Sequence, residues 1–161
     1  MCELSAEMAI RVFHLLQRAH NTLFRAADSA MNASEGIRTA QLAVLFALLR
    51  SEGLPISTIA RRIGMGKSSL TGLVDRMVAK GLVRREADAE DARVQRIVLE
   101  AKGEALAKRA GTAVRRYNRA LLQPFSGAEQ DVIARFLTHV AESAGDIVQT
   151  QPASRSKKEK P

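Results

Sequence analysis

Lys67, Ser68, Ser69 and Thr71 lie within one short run, Gly66-Lys67-Ser68-Ser69-Leu70-Thr71-Gly72. No base and no paired carboxylate accompany these hydroxyls, so the run does not read as a nucleophile. It reads as a hydrogen-bonding surface with a cation at one end. Serine and threonine hydroxyls bond base edges and phosphate oxygens alike, and an ammonium favours phosphate. Gly72 adds no bulk, which lets a backbone approach a partner closely. Arg76 flanks the same face. Further on, Asp91-x-Arg93 offers a guanidinium with a carboxylate two residues earlier to orient it, and Arg85 and Arg96 extend the cationic set. The chemistry these residues share is nucleic-acid contact.

The elements that must position them follow from periodicity. Leu70, Leu73, Val74, Met77 and Val78 recur at helical spacing and predict a helix with one buried face. Ser68, Thr71, Gly72, Asp75 and Ala79 then point the other way. Upstream, Pro55 can open a short helix marked by Ile56, Ile59, Ala60 and Ile63. Gly64-Met65-Gly66 breaks the pattern with glycine, the residue that ends helices. The layout is helix, tight turn, helix, in which the second helix enters the major groove of DNA. Downstream, Lys80-Gly81 stops that helix. Leu82 to Glu86 and Arg93 to Leu99 read as paired strands around a polar turn, Ala87 to Ala92. Such a hairpin can set a cation, here Arg93, in the adjacent minor groove.

Around this centre, residues 5 to about 30 carry a long helical stripe from Met8 to Ala30, and Asn32 to Gly36 reads as a loop. Thr39 to Arg50 is predicted as a helix burying Leu42, Leu45, Phe46 and Leu49. Residues 102 to 122 place Leu106, Ala110, Val114, Tyr117 and Leu121 on one side. After Pro124, Ser126-x-x-Glu129 is a capping box that opens a helix rich in apolar residues as far as Val148. The expected fold is mainly α with a small β-hairpin wing. It forms one domain, 1–149, with a DNA-binding lobe at about 38–100 and terminal helices at about 5–30 and 102–148. Those helices show more apolar surface than so small a lobe can cover, so they are expected to pair with a second copy. A two-fold dimer would hold two groove helices roughly 34–36 Å apart. The tail, 150–161, is basic, lacks an apolar pattern and is expected to be disordered.

The whole chain has 161 residues and a formal net charge of +8, with 46% hydrophobic residues. That composition supports a core and a polyanionic partner. No run of about 18 apolar residues predicts a membrane span, and no signal peptide is read before the first helix, so a cytoplasmic protein is expected. The single cysteine, Cys2, rules out a disulfide framework. It lacks an activating cation nearby, so no redox role is assigned to it. No zinc pattern, phosphate loop or dinucleotide fingerprint occurs, and neither catalysis nor a cofactor is expected. His14, His20 and Arg25 are candidates for a small anion pocket between the first helix and the DNA-binding lobe.

Taken in order, Gln41-x-x-Val44-Leu45, Ile59-Ala60-Arg61-Arg62-Ile63-Gly64, Lys67-Ser68-Ser69-Leu70-Thr71-x-Leu73-Val74-Asp75-Arg76, Lys80-Gly81-Leu82-Val83-x-Arg85 and Asp91-x-Arg93 resemble the MarR family of bacterial winged-helix regulators. The resemblance spans roughly residues 5 to 148. It implies a homodimer on a pseudo-palindromic DNA operator, most often a repressor, released by a small ligand or oxidant. The chain departs from the pattern in three places. Ile37-Arg38 stands where many members have Leu-Thr. Glu100 stands where a threonine cap is usual. Gly72 stands where an arginine is frequent, which removes one candidate DNA contact. The reading from another class is an architectural nucleic-acid binder with no effector.

Overall fold

The computed structural model describes residues 3–91 and 93–149. Its elements run α1 (Glu3–Glu35), α2 (Thr39–Leu48), β1 (Leu54–Pro55), α3 (Ile56–Ile63), α4 (Lys67–Ala79), β2 (Val83–Ala87), β3 (Gln95–Leu99), α5 (Ala101–Leu122) and α6 (Gly127–Gln149). They divide into two compact units, one ending at Val114 and the next starting at Arg115, within α5. The fold is mainly helical with one three-stranded antiparallel sheet in the order β1-β3-β2. No helix among the described residues is long and apolar enough to cross a membrane. Cys2 and the tail 150–161 lie outside the described residues.

The first unit packs around α2, α3 and α4. Val44, Leu45, Leu48, Ile59, Leu70, Val74, Met77 and Ile97 are almost wholly buried. Leu70, Leu73, Val74 and Met77 form the inner face of α4 as the spacing predicted. Val78 was expected there too, yet it is 38% exposed. At about 100° per residue it lies some 80° round from Leu70, at the margin of the stripe. Phe46 and Leu49 are half-buried rather than buried, and Leu121 on α5 is exposed.

Three boundaries differ from the sequence reading. The segment expected as a loop from Asn32 continues α1 to Glu35. Met31 is anchored in the core, and the stop falls at Gly36, whose N–H still donates to Asn32 O at 3.1 Å. α2 ends at Leu48 rather than Arg50. A short strand, β1, pairs Leu54 with Ile97 and Pro55 with Arg96. Pro55 is therefore an edge-strand residue and the N-cap of α3 rather than its first helical residue, and an edge is where a missing N–H leaves no sheet bond unmade.

The ends of three helices are tied by lysines. Lys80 Nζ donates to Gly36 O at 3.4 Å, just beyond α1. Lys102 Nζ, in the first turn of α5, donates to Lys80 O at 2.9 Å. Carbonyls at helix C-termini lack intrahelical donors, so ammonium groups satisfy them. α1 in turn supplies the start of α2: Asp28 Oδ1 accepts both the Thr39 N–H at 2.7 Å and its hydroxyl at 2.6 Å. The Thr39 hydroxyl is the main reason the Asp28 carboxyl is held below its ordinary value.

In the second unit, the expected capping box is present. The Ser126 N–H and hydroxyl both donate to Glu129 Oε2. Gln130 Nε2 donates to Leu122 O and Phe125 O, closing the turn before α6. No residue of α6 is buried within the chain. Val132, Phe136, Leu137, Ile147 and Val148 are exposed, as are Val12, Phe13 and Leu15 on α1.

Candidate nucleic-acid interface

The interface begins at a turn that only glycine closes easily. Gly64 caps α3 at φ +64° and ψ +33°, and its N–H donates to Ala60 O. That left-handed conformation is costly for residues with a Cβ. Two residues later the chain enters α4 through Gly66, which has no side chain to cap the helix. The first-turn N–H groups of α4 thus keep their preference for an anion. Lys67, Ser68 and Ser69 stand exposed at that end.

Thr71 behaves differently from the serines. Its hydroxyl donates to Lys67 O at 2.9 Å, one turn back along α4, and the residue is half-buried. Its donor is therefore engaged within the helix, which leaves chiefly its methyl group for a partner. One turn further, Arg76 lies back over Gly72: a Cβ at Gly72 would sit 3.7 Å from Arg76 Nη1. Arg85 on β2 donates from Nη2 to Asp75 Oδ1 at 2.6 Å, linking the wing to the outer face of α4.

The wing turn is organised by aspartates. Asp88 Oδ1 accepts the N–H of Glu90 at 2.9 Å and of Asp91 at 3.2 Å. The Glu90 amide, then the Arg96 guanidinium and the Asp91 amide, hold the Asp88 carboxyl below its ordinary value. Asp91 Oδ1 accepts the Arg93 backbone N–H at 2.9 Å. The carboxylate expected to orient Arg93 thus holds its main chain, and the guanidinium is exposed with no ion pair among the described residues. Arg96, expected among the DNA-contacting cations, is occupied inside the wing: Nη1 donates to Asp88 Oδ2 at 2.9 Å and Nη2 to Gly53 O at 2.6 Å.

The nine expected DNA-contact residues therefore fall into two groups. Lys67, Ser68, Ser69, Arg76 and Arg93 face solvent, and Gly72 leaves room on the same helix. Thr71, Arg85 and Arg96 have bonds of their own within the protein. Asp75 and Asp88 are the positioning residues that the sequence reading passed over. Asp88 carried a readable signal, since an aspartate that bonds the amides two and three residues on is a common turn device.

His20 and Arg25, expected with His14 to line one anion pocket, line two different cavities. His20 lines a cavity of about 580 Å³ with Phe24, Thr39, Ala43, Ile63, Met65 and the two turn glycines among its walls. Its ring lies 4.6 Å from that of Phe24. Arg25 lines a separate cavity of about 260 Å³ with Asp28, Ser29, Asn32 and Arg38. His14 is exposed and lines neither. At about 100° per residue, His20 turns to another side of α1, whereas His14 and Arg25 lie within about 20° of one face but about three turns apart along the helix.

The sequence model of the MarR family matches residues 35–94. A curated relative, the transcriptional activatory protein BadR of Rhodopseudomonas palustris, is 34% identical over 100 residues, which cover 60% of this chain and 57% of BadR. The matched stretch is thus little more than half of that relative's length. Among solved structures, the PcaV transcriptional regulator of Streptomyces coelicolor, in complex with its natural ligand, is similar at 30% identity with a TM-score of 0.70. That match covers 83% of this chain and 91% of PcaV. A MarR/EmrR family transcriptional regulator from Acinetobacter sp. ADP1 shares the fold at a TM-score of 0.79 and 19% identity, over 86% and 98% of the two chains.

Proposed function

This chain belongs to the MarR family, and we propose that it is a dimeric, sequence-specific DNA-binding transcription regulator whose hold on DNA is set by a small ligand. The observation that carries this reading is the solvent-facing start of α4. Lys67, Ser68 and Ser69 project beside a glycine turn with no capping side chain. Arg93 projects from a wing that Arg85 joins to the same helix. Ser68 and Ser69 meet base edges, Lys67 meets phosphate, and Arg93 enters a minor groove.

The exposed apolar faces of α1 and α6 support pairing of two chains, which presents two α4 helices to the two halves of an operator. The His20–Phe24 cavity supports ligand control. Gly64, Met65 and Gly66 form part of its wall, so a ligand that fills it presses on the turn from which α4 starts. The aromatic and aliphatic wall with one imidazole suits a small molecule with an apolar body and an anionic group. PcaV has a natural ligand of its own. Repression is the sign expected for this chain, beside the activatory role that BadR carries in its name.

The test is selection of binding sites from random DNA followed by titration. The selected site is expected to bind roughly 10³-fold or more tightly than random sequence. Arg93→Ala should remove most of that margin while the chain still folds and pairs. Equal affinity for all sequences would replace the regulator with an architectural binder.

A further inference from the structure

Two nitrogens of the Arg96 guanidinium are engaged within the protein, although the side chain is 37% exposed. Its Nη1 reaches Asp88 Oδ2 at 2.9 Å and its Nη2 reaches Gly53 O at 2.6 Å. Its Nε is shielded from solvent and finds no acceptor among the described residues. A buried donor without a partner is unfavourable, whereas an ordinary surface ion pair keeps its remaining donors in water. The two bonds hold the guanidinium between Asp88 and Gly53.

The surroundings are built for it. Gly53 has φ +115°, and a Cβ there would lie 2.9 Å from Val98 Cγ2 and 3.6 Å from Arg96 Nε. Only glycine brings this carbonyl so close to β3. Gly53 directly precedes β1, which leads into α3, the first helix of the helix-turn-helix. Asp88, at the other side, bonds the amides of Glu90 and Asp91, and Asp91 bonds the amide of Arg93. A continuous run of bonds therefore leads from Gly53 through Arg96, Asp88 and Asp91 to the backbone of Arg93.

We propose that Arg96 is a positioning residue: it straps the wing turn to the start of the helix-turn-helix and so fixes where Arg93 is presented to DNA. The part that concerns DNA rests on the regulator reading above. The strap itself does not. Arg96 then contributes to minor-groove recognition without touching DNA, and the cation that does the contacting is its neighbour three positions back. A lysine cannot replace it, because one ammonium does not span the two acceptors with the planar fork of a guanidinium.

The experiment uses the full-length protein, with Arg96→Lys, Arg96→Met and Asp88→Asn each made in the natural chain and Arg96→Met also in an Arg93→Ala background. Amide hydrogen exchange at Glu90, Asp91 and Arg93 reports the strap directly, with or without DNA. Arg96→Met and Asp88→Asn are expected to speed it about tenfold while exchange in α2 and α4 stays unchanged. Operator affinity should fall about tenfold on Arg96→Met, with Arg96→Lys no better than half restored, and Arg96→Met should add nothing once Arg93 is already alanine. Should Arg96→Met fail to fold, Asp88→Asn gives the same reading from the other end of the strap. Unchanged exchange overturns the strap. Additive losses in the double variant overturn its link to Arg93. A wild-type protein that selects no DNA sequence overturns the regulator reading instead, and the exchange rates still decide the strap.

Discussion

Arg85 and Asp75 meet across the boundary between the wing and α4, with Nη2 2.6 Å from Oδ1. The arginine side chain is 31% exposed and the aspartate 61%. A pair so open to water contributes little to stability. Its effect is on charge placement, because it neutralises a cation on the surface proposed to meet phosphate. Asp75→Asn should change unfolding free energy by less than about 1 kcal/mol. It should tighten binding to random DNA and steepen the dependence of log K on log salt by about 0.9, the value of one more neutralised phosphate. Titrations at four salt concentrations check this, and an unaltered slope would place Arg85 away from phosphate.

Gly72→Ala should separate stability from binding. A Cβ there meets nothing closer than Arg76 Nη1 at 3.7 Å, an ordinary contact. Alanine should therefore stabilise α4 by about 1 kcal/mol in denaturant melts. The added methyl lies on the face proposed to enter the groove, and operator affinity should fall. A variant that is more stable and binds equally well would mean that this part of α4 does not approach the bases.

Thr71 and Ser69 should differ in kind. The Thr71 hydroxyl already donates to Lys67 O, so Thr71→Val, which keeps the methyl group, should retain the ranking of single-base operator variants. Ser69→Ala should alter that ranking, by roughly 1–3 kcal/mol at the contacted base pair. If the valine variant is the one that changes base preference, the Thr71 hydroxyl turns away from its helix to read DNA.

Acid should weaken the junction of α1 and α2 in a defined window. The Asp28 carboxyl is lowered from its ordinary value of 3.8, chiefly by the Thr39 hydroxyl. A lowered folded-state pKa means stability that is fully present above the unfolded value and lost as pH falls through the folded one. Asp28→Asn should therefore cost about 1 kcal/mol, the scale of a helix cap, from neutral pH down to about pH 4. The difference from wild type should shrink below that. Denaturant melts at pH 7, 4 and 2.5 measure it, and a difference that grows in acid would contradict the assignment.

The sequence made the centre of the fold legible because its instructions there are local. Gly64, Gly66 and Gly81 punctuate, Leu70 to Met77 give the stripe, and Ser126 with Glu129 caps α6 within four residues. What escaped was set by distant partners. β1 is two residues long and exists through its pairing with β3, so no periodicity announces it. The roles of Arg96 and Arg85 depend on Gly53, Asp88 and Asp75, which no spacing rule connects to them. Arg93 was legible as a cation at the wing, whereas Arg96 looked the same in sequence and differs only because a carbonyl and a carboxylate lie within its reach. His14, His20 and Arg25 are not gathered by their shared membership of α1: His20 turns away from the face of the other two, and about three turns of helix separate His14 from Arg25.

The bare surface of α6 has a consequence for any measurement made on this protein. In the proposed dimer, this helix of 23 residues with none buried gains part of its packing from a second molecule, and an encounter between molecules depends on how many are present. The melting temperature should therefore shift with protein concentration, as in any system where association and folding share one equilibrium. In that dimer, dilution should weaken folding and DNA binding together.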